Sequence, residues 1–304
     1  MSYISVFGIF VADISFVGKR IPTVGESMIG SKYNISPGGK GCNQATAIAK
    51  LGGKVSFISK IGKDTYGDMA IKILSENKIE ISAVDIDPKS QTGVAGIMLD
   101  ETTGKNAINV IVGAPATLTI KDLEKHFNII DKSEIFLTQL ETPVGVTLEC
   151  LKKAKENNVL TILNPAPAAK IDNQFFKYVD YFTPNETEAE FYTDIKILNI
   201  EDAKKAAKSL IQKGLKKIII TLGEKGLFYT DGKEEIFIEA TKVKAIDTIG
   251  AGDAFNGGFA YALLQKKPIK DALIFANKVA GLSTTKQGAG NAMPSLEEVN
   301  KLTN

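Results

Sequence analysis

Short apolar runs alternate along this chain with longer stretches in which apolar residues recur every three or four positions. Residues 4–10, 55–58, 135–140, 159–163 and 216–222 are rich in Val, Ile, Leu and Phe and of strand length, which predicts buried core strands. Between two of them, Ala203, Ala206, Ala207, Leu210 and Ile211 follow the i, i+3, i+4, i+7, i+8 spacing of one helix face. Asn199 stands ready as its cap and Gly214 as its stop, so the segment reads as a crossover helix leading into a parallel strand. The rhythm predicts an α/β fold, whose ligands sit at the carboxyl ends of the strands, where loops such as Asn164-Pro165-Ala166-Pro167 begin. Residues 12–36 and 92–112 break the rhythm. They carry β-rich patterns (Ile14, Phe16; Val94, Ile97, Leu99; Ile108, Val110) with the turn-like Asp100-Glu101-Thr102-Thr103-Gly104 inside the second. These segments suit a small separate sheet, used either as a flap over the ligand edge or for packing and dimerisation. No linker divides the chain.

Composition narrows the function. With 304 residues and 44% hydrophobic content the chain can bury a large core, as one big domain or two smaller ones. Its 37 basic and 35 acidic residues leave a net charge of +2, so no overall field favours nucleic acid or anionic membrane, and small ligands are the default. Cys42 and Cys150 lie far apart, without the spacing of a metal site or a disulfide framework. The only histidine, His126, sits in an amphipathic segment and reads as a solvated surface residue without a role. The start of the chain lacks a basic leader and nowhere do eighteen apolar residues run together, so a soluble, cytoplasmic protein with reduced thiols is expected.

The densest chemistry lies in Asp247-Thr248-Ile249-Gly250-Ala251-Gly252-Asp253-Ala254-Phe255. Residues 254–264 suit a buried helix, which makes Gly250, Ala251 and Gly252 the turn before it. Unpaired amides at a helix start attract anions, and small side chains admit a phosphate. Asp253 then either takes a proton from a hydroxyl attacking the bound phosphoryl group or merely caps the helix. Pro37-Gly38-Gly39-Lys40-Gly41-Cys42-Asn43-Gln44 is a glycine-rich approach to a helix that lacks P-loop spacing, and a tight turn alone also explains its glycines. Asn185-Glu186-Thr187-Glu188 places carboxylates where a helix first turn favours them, or where Glu188 meets magnesium or its waters. Thr221-Leu222-Gly223-Glu224-Lys225-Gly226 closes a strand as an ordinary hairpin, or meets a nucleotide there.

Taken in order, Gly38 to Gln44, Gln139-Leu140-Glu141-Thr142-Pro143, Leu163 to Pro167, Thr183 to Glu188, Thr221-Leu222-Gly223 and Asp247 to Phe255 resemble the motifs of the ribokinase (PfkB-type) carbohydrate kinase family, over residues 8–294. The resemblance implies a Rossmann-like, doubly wound, mostly parallel sheet with a small β-sheet lid that also joins two subunits into a homodimer. It implies ATP-dependent phosphorylation of the 5-hydroxyl of a pentose, with D-ribose foremost. By the same resemblance Asp13, Gly39, Lys40, Asn43 and Glu141 hold the sugar and Asp253 is the base. Gly250, Ala251 and Gly252 form the anion hole. Asn185, Thr221, Gly223, Gly226 and Asn277 meet ATP, with Gly252 beside its phosphates and Glu188 supporting Mg²⁺ indirectly. Asp247, Ile249, Ser283, Lys286 and Gly288 match a K⁺ site built mostly of carbonyls. The chain departs from the pattern at Val11, where Asn is usual, and at Ala292, Pro115 and Cys42 in place of Ser, Asn and Ala. Val11 raises 2-deoxy-D-ribose as an alternative substrate; a nucleoside kinase and a non-catalytic sugar sensor are the other readings.

Overall fold

A computed structural model describes residues 2–302. Its main sheet has nine strands: β1 (Ile4–Phe7), β4 (Val55–Gly62), β5 (Glu80–Asp87), β8 (Ile135–Thr138), β9 (Leu160–Leu163), β10 (Tyr181–Phe182), β11 (Ile218–Thr221), β12 (Leu227–Thr230) and β13 (Glu235–Ile238). A second sheet holds β2 (Val11–Gly18), β3 (Lys32–Gly38), β6 (Thr92–Asp100) and β7 (Asn106–Gly113). The helices are α1 (Lys40–Lys50), α2 (Thr65–Glu76), the short α3 (Ile120–Leu123) and α4 (Phe127–Asp131), α5 (Val144–Glu156), α6 (Glu186–Thr193), α7 (Ile200–Gln212), α8 (Ala251–Leu264), α9 (Ile269–Ser283) and α10 (Leu296–Lys301).

The order of the main sheet is β13-β12-β11-β10-β9-β8-β1-β4-β5, parallel from β5 to β11 and antiparallel at β12 and β13. The chain first winds outward from β1 through β4 to β5 and later restarts on the other side of β1 with β8, so the winding reverses between β1 and β8. Ligands of doubly wound sheets gather at such a switch point. Alternate residues of the strands feed two apolar layers. Phe7, Phe136, Leu163 and Ile220 face α5 and α7, while Ile4, Val6, Phe57 and Ile219 face α1, α8 and α9. Helix α8 is apolar nearly all round because α1 and α9 flank it, which is why its sequence shows no polar stripe. The expected crossover helix is α7, with the Asn199 side chain accepting from the Asp202 amide and Gly214 at φ +104° beyond its end.

Several expected strands are shorter than their apolar runs, β1 and β8 the most consequentially for the site. β1 stops at Phe7, and Gly8-Ile9-Phe10 carries the chain out of the main sheet into β2; β8 stops at Thr138, leaving Gln139 and Leu140 at the sheet's ligand edge. The small sheet runs β3-β2-β6-β7, from the two segments that broke the sequence rhythm. Val11 and Asp13, two residues apart on β2, share the face turned toward the ligand edge. Ile14 and Phe16 lie on the opposite face. His126 is a correction: it is buried, with Nε2 3.1 Å from Asp85 Oδ1 on β5, because the segment around it folds as short helical turns packed on that strand.

Candidate active site

The carboxyl ends of β9, β10 and β11 and the starts of α1, α6 and α8 converge on one cavity of about 170 Å³. Lys40, Asn164, Asn185, Glu188, Thr221 and Asp253 are among its lining residues, with the backbone of Gly250, Ala251 and Gly252. Helix α8 begins three residues earlier than the apolar pattern suggested. Gly250 is its N-cap at φ +78°, and Ala251, Gly252 and Asp253 form its first turn. The three small residues are therefore not a turn ahead of the helix but its opening. The Ala251 amide donates to the Thr248 carbonyl (3.2 Å) and the Ala254 amide to Gly250 (2.8 Å). Among the described residues the amides of Gly252 and Asp253 have no protein acceptor, and they lie at the cavity with the positive end of the helix dipole.

Capping does not account for Asp253, because Gly250 occupies the cap and the Asp253 side chain is drawn elsewhere. Only 6% exposed, it accepts from Asn43 Nδ2 (2.9 Å, to Oδ2) and from Gln44 Nε2 (3.0 Å, to Oδ1). Burial pushes its carboxyl above the usual range, opposed by the nearby Lys40 charge and by these two bonds. Lys40 is held protonated chiefly by Asp253, and its backbone N–H donates to Glu141 Oε2 (2.8 Å). Burial raises Glu141 to about 7, more than Lys40 lowers it. Asp13, on the lid strand, is raised to about 6 by burial and then by the Asp253 charge. Three carboxylates and one ammonium thus surround a space at the switch point, an acceptor-rich lining suited to a ligand with several hydroxyl donors. Gly39 enters α1 at φ +89°, where a Cβ would lie 2.5 Å from the Ile9 carbonyl, so only glycine brings Lys40 and Asn43 to this place. Val11 is buried in a small apolar group with Ile9 and Ala95.

At the start of α6, Asn185 caps the helix in a reciprocal box with Glu188: Asn185 Oδ1 accepts from the Glu188 amide (2.8 Å), and Glu188 Oε2 from the Asn185 amide (2.9 Å). Gly223 and Gly226 lie in the turn between β11 and β12, which is an antiparallel hairpin as well as a strand end beside the cavity. Asn277 is placed apart. It lines a neighbouring cavity of about 430 Å³ with Ile238, Glu239 and Thr241, and its amide donates to the Glu239 carbonyl (2.7 Å). Asp247 ties two loops together, accepting from the Ile249 amide (3.0 Å) and the Gly288 amide (2.9 Å). Ser283 is buried at the end of α9, and Lys286 pairs with Glu298 (2.5 Å). The residues sequence reasoning left without a role are neutral: Gln44, Asn164, Thr183 and Asn256, which join this site through buried hydrogen bonds.

No group of three or more His, Cys, Asp or Glu side chains able to hold a metal occurs among the described residues. Glu188 alone suits Mg²⁺ brought in on phosphates and keeping its waters. The Asp247 carboxylate and surrounding carbonyls are oxygen donors of the kind that replace the water around K⁺.

An anion-binding helix start beside a buried carboxylate, at the switch point of a doubly wound sheet and under a small β-lid, defines an enzyme that transfers phosphoryl groups to a small hydroxylated acceptor. The chain belongs to the pfkB family of carbohydrate kinases, whose model matches residues 1–296. It is 37% identical over 295 residues to a ribokinase of Haemophilus influenzae, covering 97% of this chain and 96% of that one. It is 34% identical over 299 residues to a deoxyribokinase of Salmonella typhi, covering 98% and 97%. Among solved structures it is similar to the ribokinase of Arabidopsis thaliana complexed with ribose and ATP, at a TM-score of 0.92 and 28% identity over 99% of this chain and 98% of that one.

Proposed function

We propose that this chain transfers the terminal phosphoryl group of ATP to the 5-hydroxyl of D-ribose. The observation that carries the reading is Asp253, a buried carboxylate held by two amides in the first turn of α8, next to the unpaired amides of Gly252 and itself. The similarity to ribokinases, one of them complexed with ribose and ATP, supports the choice of substrates. In this reading Asp13, Gly39, Lys40, Asn43 and Glu141 hold the sugar, the carboxylates accepting from its hydroxyls. Asp253 takes the proton of the attacking hydroxyl while the start of α8, with Gly250, Ala251 and Gly252, receives the phosphoryl oxygens. Asn185, Thr221, Gly223, Gly226 and, from its neighbouring cavity, Asn277 position ATP. Glu188 would support Mg²⁺ indirectly, an ion that would supply charge neutralisation on the phosphates, and Asp247, Ile249, Ser283, Lys286 and Gly288 would hold K⁺, which would order the loop before α8. The lid covers the site as part of a single domain. Its outer face, with Phe16, Tyr33, Ile35, Met98 and Ile111 exposed, pairs two subunits. The reaction belongs to the cytoplasm, where ATP is plentiful.

A second reading, 2-deoxy-D-ribose as the acceptor, is favoured by Val11 and by the deoxyribokinase relative. A coupled assay over ribose, 2-deoxyribose, fructose and nucleosides separates these readings, and Asp253→Asn tests the chemistry. Turnover in that variant falls by about 10²- to 10⁴-fold, the usual worth of a positioned base, with ribose affinity much less changed. Near-normal turnover removes the assignment.

A further inference from the structure

We propose that Gln44 is the positioning residue that aims the Asp253 carboxylate. This rests on the reading of Asp253 as the base. Gln44 lies on α1, fully buried, and each polar atom of its amide is engaged. Nε2 donates to Asp253 Oδ1 (3.0 Å) and to Asn164 Oδ1 (3.2 Å), and Oε1 accepts from Gln139 Nε2 (2.6 Å).

The direction of these bonds is set by two groups that only accept. One is the Asp253 carboxylate, ionised in the base role proposed above. The other is the Thr183 carbonyl, which takes the Asn164 Nδ2 proton (3.1 Å) and so turns Asn164 Oδ1 toward Gln44. A reversed Gln44 amide would set its oxygen against both acceptors. Gln139 completes the order at a cost, since its own Oε1 is buried without a donor among the described residues. The same array reaches the start of α8: Thr183 Oγ1 donates to Asn256 Oδ1 (2.7 Å), and Asn256 Nδ2 to the Gly252 carbonyl (2.8 Å). Base and anion-binding turn are thus fixed to the ends of β8, β9 and β10 by one set of buried amides and a hydroxyl.

Two donors, Asn43 on Oδ2 and Gln44 on Oδ1, hold the plane of the carboxylate and favour its ionised form. The other titratable groups facing Asp253 are Lys40 and Cys42 of α1, Asp13 of β2, Glu141 after β8 and Glu188 of α6; each feels the Asp253 charge through space, and Lys40 opposes the burial of Asp253 in return. Loss of Gln44 therefore takes from Asp253 Oδ1 the amide that donates to it.

The test is the pH profile of kcat at saturating ribose and ATP between pH 5 and 9, which reports the bound complex and not the carboxylates that govern ribose affinity, in wild type, Gln44→Met and Gln44→Glu, with Asp253→Asn alongside. Gln44→Met keeps the length but not the donor, and the acidic limb rises by about one pH unit, since two to three donated bonds lower a carboxylate by about two. Gln44→Glu sets a second carboxyl against Asp253, and the limb rises further. A profile that drops equally at every pH, with the limb unmoved, overturns the assignment in favour of a purely structural role. Failure of both variants to fold, read by thermal melting, overturns it in the same way. Near-normal activity in Asp253→Asn removes the base itself; with that variant inactive, an unmoved limb removes Gln44 alone.

Discussion

Replacing Gly252 with alanine separates the needs of the fold from those of the chemistry. A glycine in the first turn of a helix is required by the fold only where φ is positive or a neighbour is too close. Neither holds here: Gly252 has helical dihedrals, and a Cβ built on it meets no atom within 4 Å. Alanine lowers the backbone entropy of the unfolded chain and is a better helix former, by about 0.5–1 kcal/mol. In a chain of this size that raises Tm by about 1–3 °C. The added methyl projects into the cavity lined by Asp253 and Lys40, where the phosphoryl group must approach the Gly252 and Asp253 amides to about 3 Å. Holding it off forfeits at least one donor to the developing charge, which lowers kcat by about 10²- to 10³-fold. Gly250→Ala has the opposite balance. Its φ is +78° and a Cβ would sit 2.9 Å from the Ala289 Cβ, so the fold itself loses stability. Thermal melting and a coupled ribose assay on the purified variants measure both quantities. A Gly252→Ala enzyme with wild-type kcat would falsify the placement of the phosphoryl group on this turn, and one that melts early would show that the glycine serves packing.

Three further outcomes follow from the same geometry. Asp13 and Glu141, raised to about 6 and about 7, lie above their unfolded values, so the stability they contribute is present at low pH and is lost as pH rises through those values. Ribose hydroxyls bond best to the ionised forms, so calorimetric affinity for ribose increases from pH 5 to 8; a flat profile rejects these carboxylates as its acceptors. Val11→Asn restores a partner for the sugar 2-hydroxyl and shifts the ratio of kcat/KM for ribose over 2-deoxyribose by about ten- to a hundredfold toward ribose, on the roughly 1–3 kcal/mol for an unpaired buried hydroxyl. An unchanged ratio means that residue 11 does not read that position. K⁺ raises activity above the level in a large organic cation because it orders the loops that Asp247 joins through the Ile249 and Gly288 amides. Equal rates in both rule that site out.

The parts of this molecule that could be read in advance are those where burial leaves a pattern in one dimension. β1, β4, β8, β9 and β11 are covered on both faces by helices, so they are continuous apolar runs. β5 is an edge strand with Glu80, Ser82 and Asp87 in Glu80–Asp87, and β10 has two residues; neither leaves a run to find. His126 was misjudged because its partner, Asp85 of β5, lies 41 positions away in the chain. Of the charged members of the candidate site, Lys40 and Asp253 stood out because each stands beside glycine, whereas Asp13 and Glu141, with no such neighbour, were named only through the family resemblance. The neutral amides were not legible. Gln44 is 209 positions from Asp253 and 120 from Asn164, and nothing local distinguishes a glutamine that closes a buried array from one that faces water.

The start of α8 shows how far a small error of boundary reaches. The sequence pattern begins at Ala254 because Gly250, Ala251 and Gly252 carry no apolar signal, yet their backbone is where the helix opens. Moving the first turn back by three residues closes the Ala251 amide onto Thr248 and leaves those of Gly252 and Asp253 open. One of the unpaired donors then belongs to the same residue as the carboxylate. In the proposed mechanism base and phosphoryl-binding group therefore share a single Cα, so their separation is set by covalent geometry and the buried amides need only orient the side chain. Helix formation therefore does part of the positioning, and for that reason the array around Gln44 ends on both the Asp253 carboxylate and the Gly252 carbonyl.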